Sequence, residues 1–141
     1  MANDDNKVLF QRVVDELWNS KNLDAADELF AANAPNNIPV APDLPAGPDG
    51  AKDLLSIFHN AFPDLTLKVD RVHAMGDRVA GRLFNEGTHS GSFLGVAGSG
   101  NKVDFTMIGL FRLENGKIAE SWYEFDSLRI IQQIGAMPGA G

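Results

Sequence analysis

Residues 102–126, KVDFTMIGLFRLENGKIAESWYEFD, decide the fold of this chain. Two extended runs, 103–113 and 118–126, flank Glu114-Asn115-Gly116-Lys117. An Asn-Gly pair between apolar runs is the sequence form of a tight β-hairpin. The first run is apolar on both of its alternating sets, with Val103, Phe105, Met107 and Phe111 on one and Ile108 and Leu110 on the other. A strand of that kind is covered on both faces. A domain this small has no spare layer, so a homodimer made sheet to sheet is the simplest source of the second cover.

Working outward, the period-two pattern continues upstream. Leu65, Leu67 and Val69 alternate with Thr66, Lys68 and Asp70 in a strand reaching about Ala74, and residues 79–88 form the next after a Met-Gly-Asp turn. GSFLGVAGSGNK, residues 91–102, is a glycine-rich connection. Ahead of the strands the period is helical. Val8, Leu9, Val13, Leu17 and Trp18 mark a helix from an Asn3 or Asp4 cap to about Ser20; a shorter one covers 23–32; a third runs from Asp49 to Phe62, ended by Pro63. Pro35, Pro39, Pro42, Pro45 and Pro48 make 33–50 a stiff loop, either a surface crossover or a pocket wall. The tail IIQQIGAMPGAG extends the last strand or folds back as a short edge element. Three helices followed by four antiparallel strands define an α+β domain, read as one unit over 1–141.

Composition narrows the function. A net charge of -7 speaks against nucleic acid and against an anionic membrane surface, both of which need clustered Lys and Arg. The absence of cysteine excludes disulfides, thiolate chemistry and Cys-built metal sites. MANDDNKVLF lacks the apolar run of a signal peptide, and no stretch reaches the roughly 20 apolar residues of a membrane span, so the cytoplasm is the expected location.

Strand parity selects the candidate site residues. Glu120, Trp122, Glu124 and Asp126 share a face of the last strand. If Trp122 points inward, so does Asp126, and a desolvated carboxylate suits a general acid or base. The alternative is that Asp126 caps the following SLRII segment or pairs with an arginine at the rim. His89, at the end of the second strand, is a candidate proton carrier. His59 and His73 read as structural or solvent-facing. Arg82 and Glu86, four apart on one strand, can orient a polar substrate group or form a solvent-side pair; Arg112 lies near the end of the third strand. Tyr123, opposite Asp126 in parity, reads as dimer interface. The packing of Trp18, Phe58, Phe62, Phe105, Met107 and Trp122 sets the pocket volume. The three histidines show no metal-ligand spacing, and GVAGSG is neither a dinucleotide nor a phosphate loop. No metal or cofactor is expected.

FPDL, GDRV, GTHSG and NGKIAESW-x3-D occur in that order, and the chain from ELWNSKNLDAADELFA nearly to its end resembles the SnoaL-like polyketide cyclases, also called ester cyclases, of the nuclear transport factor 2-like superfamily. The resemblance implies a cone-shaped, curved antiparallel sheet that encloses a pocket with the three N-terminal helices. It also implies dimers through the sheet's outer face. It makes Asp126 the general acid/base of a cofactor-free intramolecular aldol cyclisation, with Trp122 as pocket wall and His89 a second polar group. Many relatives carry a histidine where this chain has Asn37, which can hydrogen-bond a substrate oxygen but not shuttle a proton. The leading expectation is a cofactor-free cyclase or isomerase acting on a hydrophobic carbonyl compound. A non-catalytic dimeric small-molecule binder, an epoxide hydrolase-like enzyme with an Asp–Arg–Asp arrangement and a protein-interaction module are the alternatives. An enzyme needs Asp126 inside the cavity, whereas a binder tolerates it in solvent.

Overall fold

The structure is a computed structural model that describes residues 2–135. The first helix, α1 (Ala2–Arg12), passes without a break into a π-helical stretch, Val13–Asn19, whose Val13, Val14, Leu17 and Trp18 are buried. The short α2 (Ala25–Leu29) and the longer α3 (Gly47–Ala61) follow, α3 burying Leu54, Leu55 and Phe58 at three- and four-residue steps. Between them the proline-rich loop contributes a two-residue strand, β1 (Asn36–Asn37), that was expected to be loop alone. Asn36 explains it. Its buried amide donates to the carbonyls of Ala34, Pro45 and Gly47, and its Oδ1 accepts from the Ser121 hydroxyl, which fastens the loop to the last strand.

The sheet strands are β2 (Thr66–Met75), β3 (Arg78–Thr88), β4 (Lys102–Glu114) and β5 (Lys117–Phe125), each within a residue or so of its expected bounds. Asn115 and Gly116 take φ of +52° and +76° in the β4–β5 turn, the left-handed pair that the Asn-Gly signal demands. The strand order is β1-β5-β4-β3-β2, antiparallel except for the parallel β1–β5 pair. A fourth helix, α4 (Ser127–Gln133), stands where a strand extension or a short edge element was expected, with Ile130 and Ile134 buried one turn apart. Residues 136–141 of that tail lie outside the described residues.

The α+β class holds, but the cone-shaped curved sheet does not. The sheet is open, with β1 and β2 as separate edges, and is neither closed nor strongly curled. The side that was to enclose a pocket is filled with rings from the helices, the strands and the β3–β4 loop: Phe10, Trp18, Phe58, Phe62, Phe93 and Phe105 are all at most 2% exposed. Phe10 shows how tight the filling is. Its ring lies 5.3 Å from that of Phe111, and a Cβ at Gly81 would come within 2.4 Å of it, so only glycine lets α1 seat on β3. Asn19 completes the seating by exchanging two hydrogen bonds with the backbone of Leu67 at 2.9 and 2.8 Å. Among the described residues no helix is long and apolar enough to cross a membrane.

Candidate functional site

The alternation of β3 puts Val79, Gly81, Leu83 and Asn85 in the interior and leaves Arg82, Phe84 and Glu86 exposed. His89 lies just beyond the strand and is fully buried. Its position is held from two sides. Its backbone N–H donates to Asn101 at 2.8 Å, while its carbonyl accepts from Gly100 at 2.8 Å. The preceding Thr88 gives both its N–H and its hydroxyl, each at 2.7 Å, to the Asp64 carboxylate. Those two bonds, the hydroxyl's first, hold the Asp64 carboxyl below the usual carboxylate range. The FPDL and GTHSG segments are thus physically joined.

The ring of His89 has a defined tautomer. The Ser99 backbone N–H donates to Nδ1 at 3.1 Å, and an amide N–H can only donate. Nδ1 is therefore the unprotonated nitrogen. The Ser99 hydroxyl, 2.8 Å away, accepts from the Asn101 N–H and turns its own proton toward the same nitrogen. The proton of the neutral ring sits on Nε2, which is buried without a partner. His89 presents a single N–H donor to the aromatic interior, 6.0 Å ring to ring from Phe62. With Nδ1 occupied, the Nε2–H is the group His89 can turn toward an oxygen.

Asp126 is placed differently from the expectation of a dry cavity. It is exposed and serves as the N-cap of α4, its Oδ1 accepting from the Arg129 N–H at 3.1 Å. The cap reading of the sequence is the one realised. It borders a groove of about 630 Å3 across the outer face of β2, β3 and β4, lined also by Lys68, Phe84, Glu86, Thr106 and Arg129. Arg129 binds the Asp104 carboxylate at 2.6 and 2.9 Å. By contrast, the enclosed void beside Trp18 and Tyr123 measures about 10 Å3, too small for a substrate.

The other expected site residues separate into two groups. Phe58, Phe62 and Met107 are core residues near full burial. Trp122 is half-buried on the outer face, with the Arg78 guanidinium 5.8 Å from its ring, and so does not line the interior. Ser121, Tyr123 and Phe125 point inward instead, because Ile118 pairs with Leu113 and Glu120 with Arg112, which leaves Ala119 as a bulge. Tyr123 is accordingly a core residue and not an outer-face one: its ring meets Trp18 edge-on at 5.9 Å, and burial pushes its phenol well up. Arg82 pairs with Asp70 at 3.0 Å rather than Glu86, and lies over Phe84. Arg112 pairs with Glu114 and Glu120. Asn37 is exposed and spends its amide on the Ser121 carbonyl at 3.0 Å. His59 donates to the Trp18 carbonyl at 2.9 Å, and burial lowers its pKa.

One residue escaped the sequence reading. Asn85 is 2% exposed, with neither amide atom hydrogen-bonded. The alternation set by Val79 and Leu83 was the signal that could have found it. Among the described residues no group of three or more His, Asp or Glu gathers as a metal site.

A family model described as SnoaL-like polyketide cyclase matches residues 8–134. No curated protein matches the chain. Among solved structures, a proposed SnoaL-like polyketide cyclase from Jannaschia sp. CCS1 is 28% identical, covering 96% of this chain and 95% of its own, with a TM-score of 0.84. IdmH from Streptomyces antibioticus, a proposed polyketide cyclase, is 29% identical over 92% of this chain and 97% of its own, with a TM-score of 0.79. TsrD from Streptomyces laurentii shares the fold at 23% identity and a TM-score of 0.85, over 95% and 97% of the two chains.

Proposed function

The chain belongs to the SnoaL-like polyketide cyclase family, a family of cyclase-type enzymes, and from that membership we propose a cofactor-free cyclisation or isomerisation of a hydrophobic carbonyl compound. The observation that carries the reading is the buried, unpartnered Nε2–H of His89. Removing a proton beside a carbonyl sends negative charge to the carbonyl oxygen, and a fixed donor in a dry aromatic surround stabilises that charge without reorganising. Asp126 is the proposed base; it borders the outer groove whereas His89 Nε2 faces the interior, so the reading requires that substrate binding bring the two to one carbonyl group. The Oδ1 of Asp126 is engaged by α4, which leaves Oδ2 to take the proton and return it to the product alkoxide after carbon–carbon bond formation.

A second reading is supported by a specific observation. Asp126 is an exposed cap outside the aromatic interior, a position that a non-catalytic small-molecule binder tolerates. Deuterium exchange at the α-carbon of 4-phenyl-2-butanone, followed by proton NMR, separates the two. The enzyme reading expects accelerated exchange that falls about 100-fold or more in Asp126→Asn and in His89→Phe. Saturable binding with exchange no faster than buffer would instead establish the binder. The epoxide hydrolase-like alternative would use Asp104, Arg129 and Asp126. That trio is a surface ion pair next to a cap, with the paired side chains 61% and 51% exposed, and lacks the desolvation its chemistry needs.

We also propose a homodimer through the outer face of the sheet. Phe84 and Ile108 stand 43% and 50% exposed there, beside half-buried Leu110 and Trp122. Ile108→Asp should convert a sedimenting dimer to monomer, and a wild-type protein that sediments as monomer at 100-fold dilution and at stock concentration alike refutes the proposal.

A further inference from the structure

Asn85 is buried at a cost the fold does not require. Its register partners on β2 and β4 are Leu67 and Phe105, both buried, so its side chain sits in an apolar row. A buried amide group left unpaired has given up its hydrogen bonds to water without replacing them. A leucine of nearly the same size would avoid that cost and add apolar burial. The amide carries a donor and an acceptor side by side, both unused, so the group that satisfies it offers an acceptor and a donor on one edge.

We propose that Asn85 is a substrate-recognition residue, its Nδ2–H donating to a carbonyl oxygen and its Oδ1 accepting from a hydroxyl or N–H beside that carbonyl. The proposal rests on the reading that His89 holds a second substrate oxygen. Asn85 and His89 lie four residues apart along one strand direction, about 13 Å between backbones. Gly87 stands between them without a side chain, where a Cβ would already come within 3.2 Å of Phe62. Phe62 and Phe105 fill the space above, 6.2 Å apart, and Phe93 lies 5.1 Å from Phe62. The substrate is therefore elongated, with an apolar, flat middle and two polar ends, and it takes the place of ring contacts in the interior. Phe93 is the ring that yields, because it is carried by the β3–β4 loop on a turn whose two backbone bonds, Phe93 to Val96 and back, stay within the loop itself.

Two rigid probes test this by titration calorimetry. 4′-Acetylbiphenyl-4-carboxamide has a carbonyl beside an N–H at one end and a ketone at the other; its methyl ester counterpart keeps both carbonyls and carries a methoxy group in place of the NH2. Wild type should bind the amide about tenfold more tightly than the ester. Asn85→Leu, and Asn85→Ala as a smaller variant, should bind both alike. His89→Phe should weaken both by one factor and keep the preference. Free Asn85→Leu should also unfold at higher urea concentration than wild type. Equal affinity of wild type for the two probes, or a preference that survives Asn85→Leu, overturns the role of Asn85 and leaves that of His89 standing. Failure of wild type to bind either probe at millimolar concentration overturns both.

Discussion

Replacing Asp64 should both destabilise the protein and disturb His89, because its carboxylate holds Thr88, the residue before that histidine. The carboxylate accepts two bonds at 2.7 Å, from the N–H and the hydroxyl of Thr88. A hydrogen bond to a charged group contributes about 1.5–3 kcal/mol. Asp64 is exposed, so water competes, and we take about 1–2 kcal/mol for the pair of bonds after that discount. Asp64→Ala should lose all of it, a fall in melting temperature of about 3–6 °C for a chain of this size. Asp64→Asn keeps an oxygen for the N–H and can receive the hydroxyl only after the proton turns away, so it should lose about half as much.

The pH dependence supplies a signature that a packing defect does not. The bonds hold the folded carboxyl below its ordinary value, so the folded state binds fewer protons than the unfolded state around that range. The stabilisation is complete above the unfolded value, about 3.9, and is lost as pH falls through the lower folded one. Urea unfolding at pH 7, 5, 4 and 3 should show the gap between wild type and Asp64→Ala closing toward the acid end. In parallel, the His89 ring resonances should move in Asp64→Ala at pH 7. Equal stability at pH 7, or a gap unchanged down to pH 3, would refute the clasp; a closing gap with unmoved His89 signals would confine its role to stability.

The remaining expectations follow from other contacts. Nitrogen-15 NMR should find His89 neutral with its proton on Nε2, and Ser99→Ala should keep that tautomer because the backbone donor remains; a proton on Nδ1 would overturn the polarising role. Phe93→Ala should cost about 3–5 kcal/mol in urea unfolding and create a site where benzene raises the melting temperature of the variant but not of wild type; no benzene effect would mean that the rings collapse into the space. Gly81→Ala drives a Cβ to 2.4 Å from the Phe10 ring and should destabilise by about 1–3 kcal/mol, with Phe10→Leu recovering part of the loss; additive losses would remove that contact as the cause.

What the sequence disclosed was local. Helix spacing, strand alternation and the Asn115-Gly116 turn depend on residues a few positions apart, and their elements stand within a few residues of where the pattern sets them. The curl of the sheet depends on how much volume fills its helix side, and that volume comes from Phe10, Trp18, Phe58, Phe93 and Phe105, which no pattern ties together. The last helix was partly legible: the alternative that Asp126 caps the SLRII segment holds, and Ile130 and Ile134 at four-residue spacing carry that helix through a stretch expected as a strand extension or a short edge element.

Which side chains face the interior was hidden for a different reason. Choosing Trp122 to fix the parity of β5 favoured the larger apolar ring, but a bulge at Ala119 and the edge-on fit of Tyr123 against Trp18 turn the tyrosine inward. On β3 the same preference hides Asn85, since exposed Phe84 and buried Asn85 invert the usual order of burial. Residue type argues that His89 should carry a proton, yet its chemistry is set by an amide donor ten residues along a glycine-rich loop. An amide N–H has no residue-specific sign in a sequence. A polar group's role in a core of rings is thus decided by which of its atoms the backbone has already taken, and the ones left over, Nε2 of His89 and the amide of Asn85, mark where this protein meets its ligand on the reading proposed above.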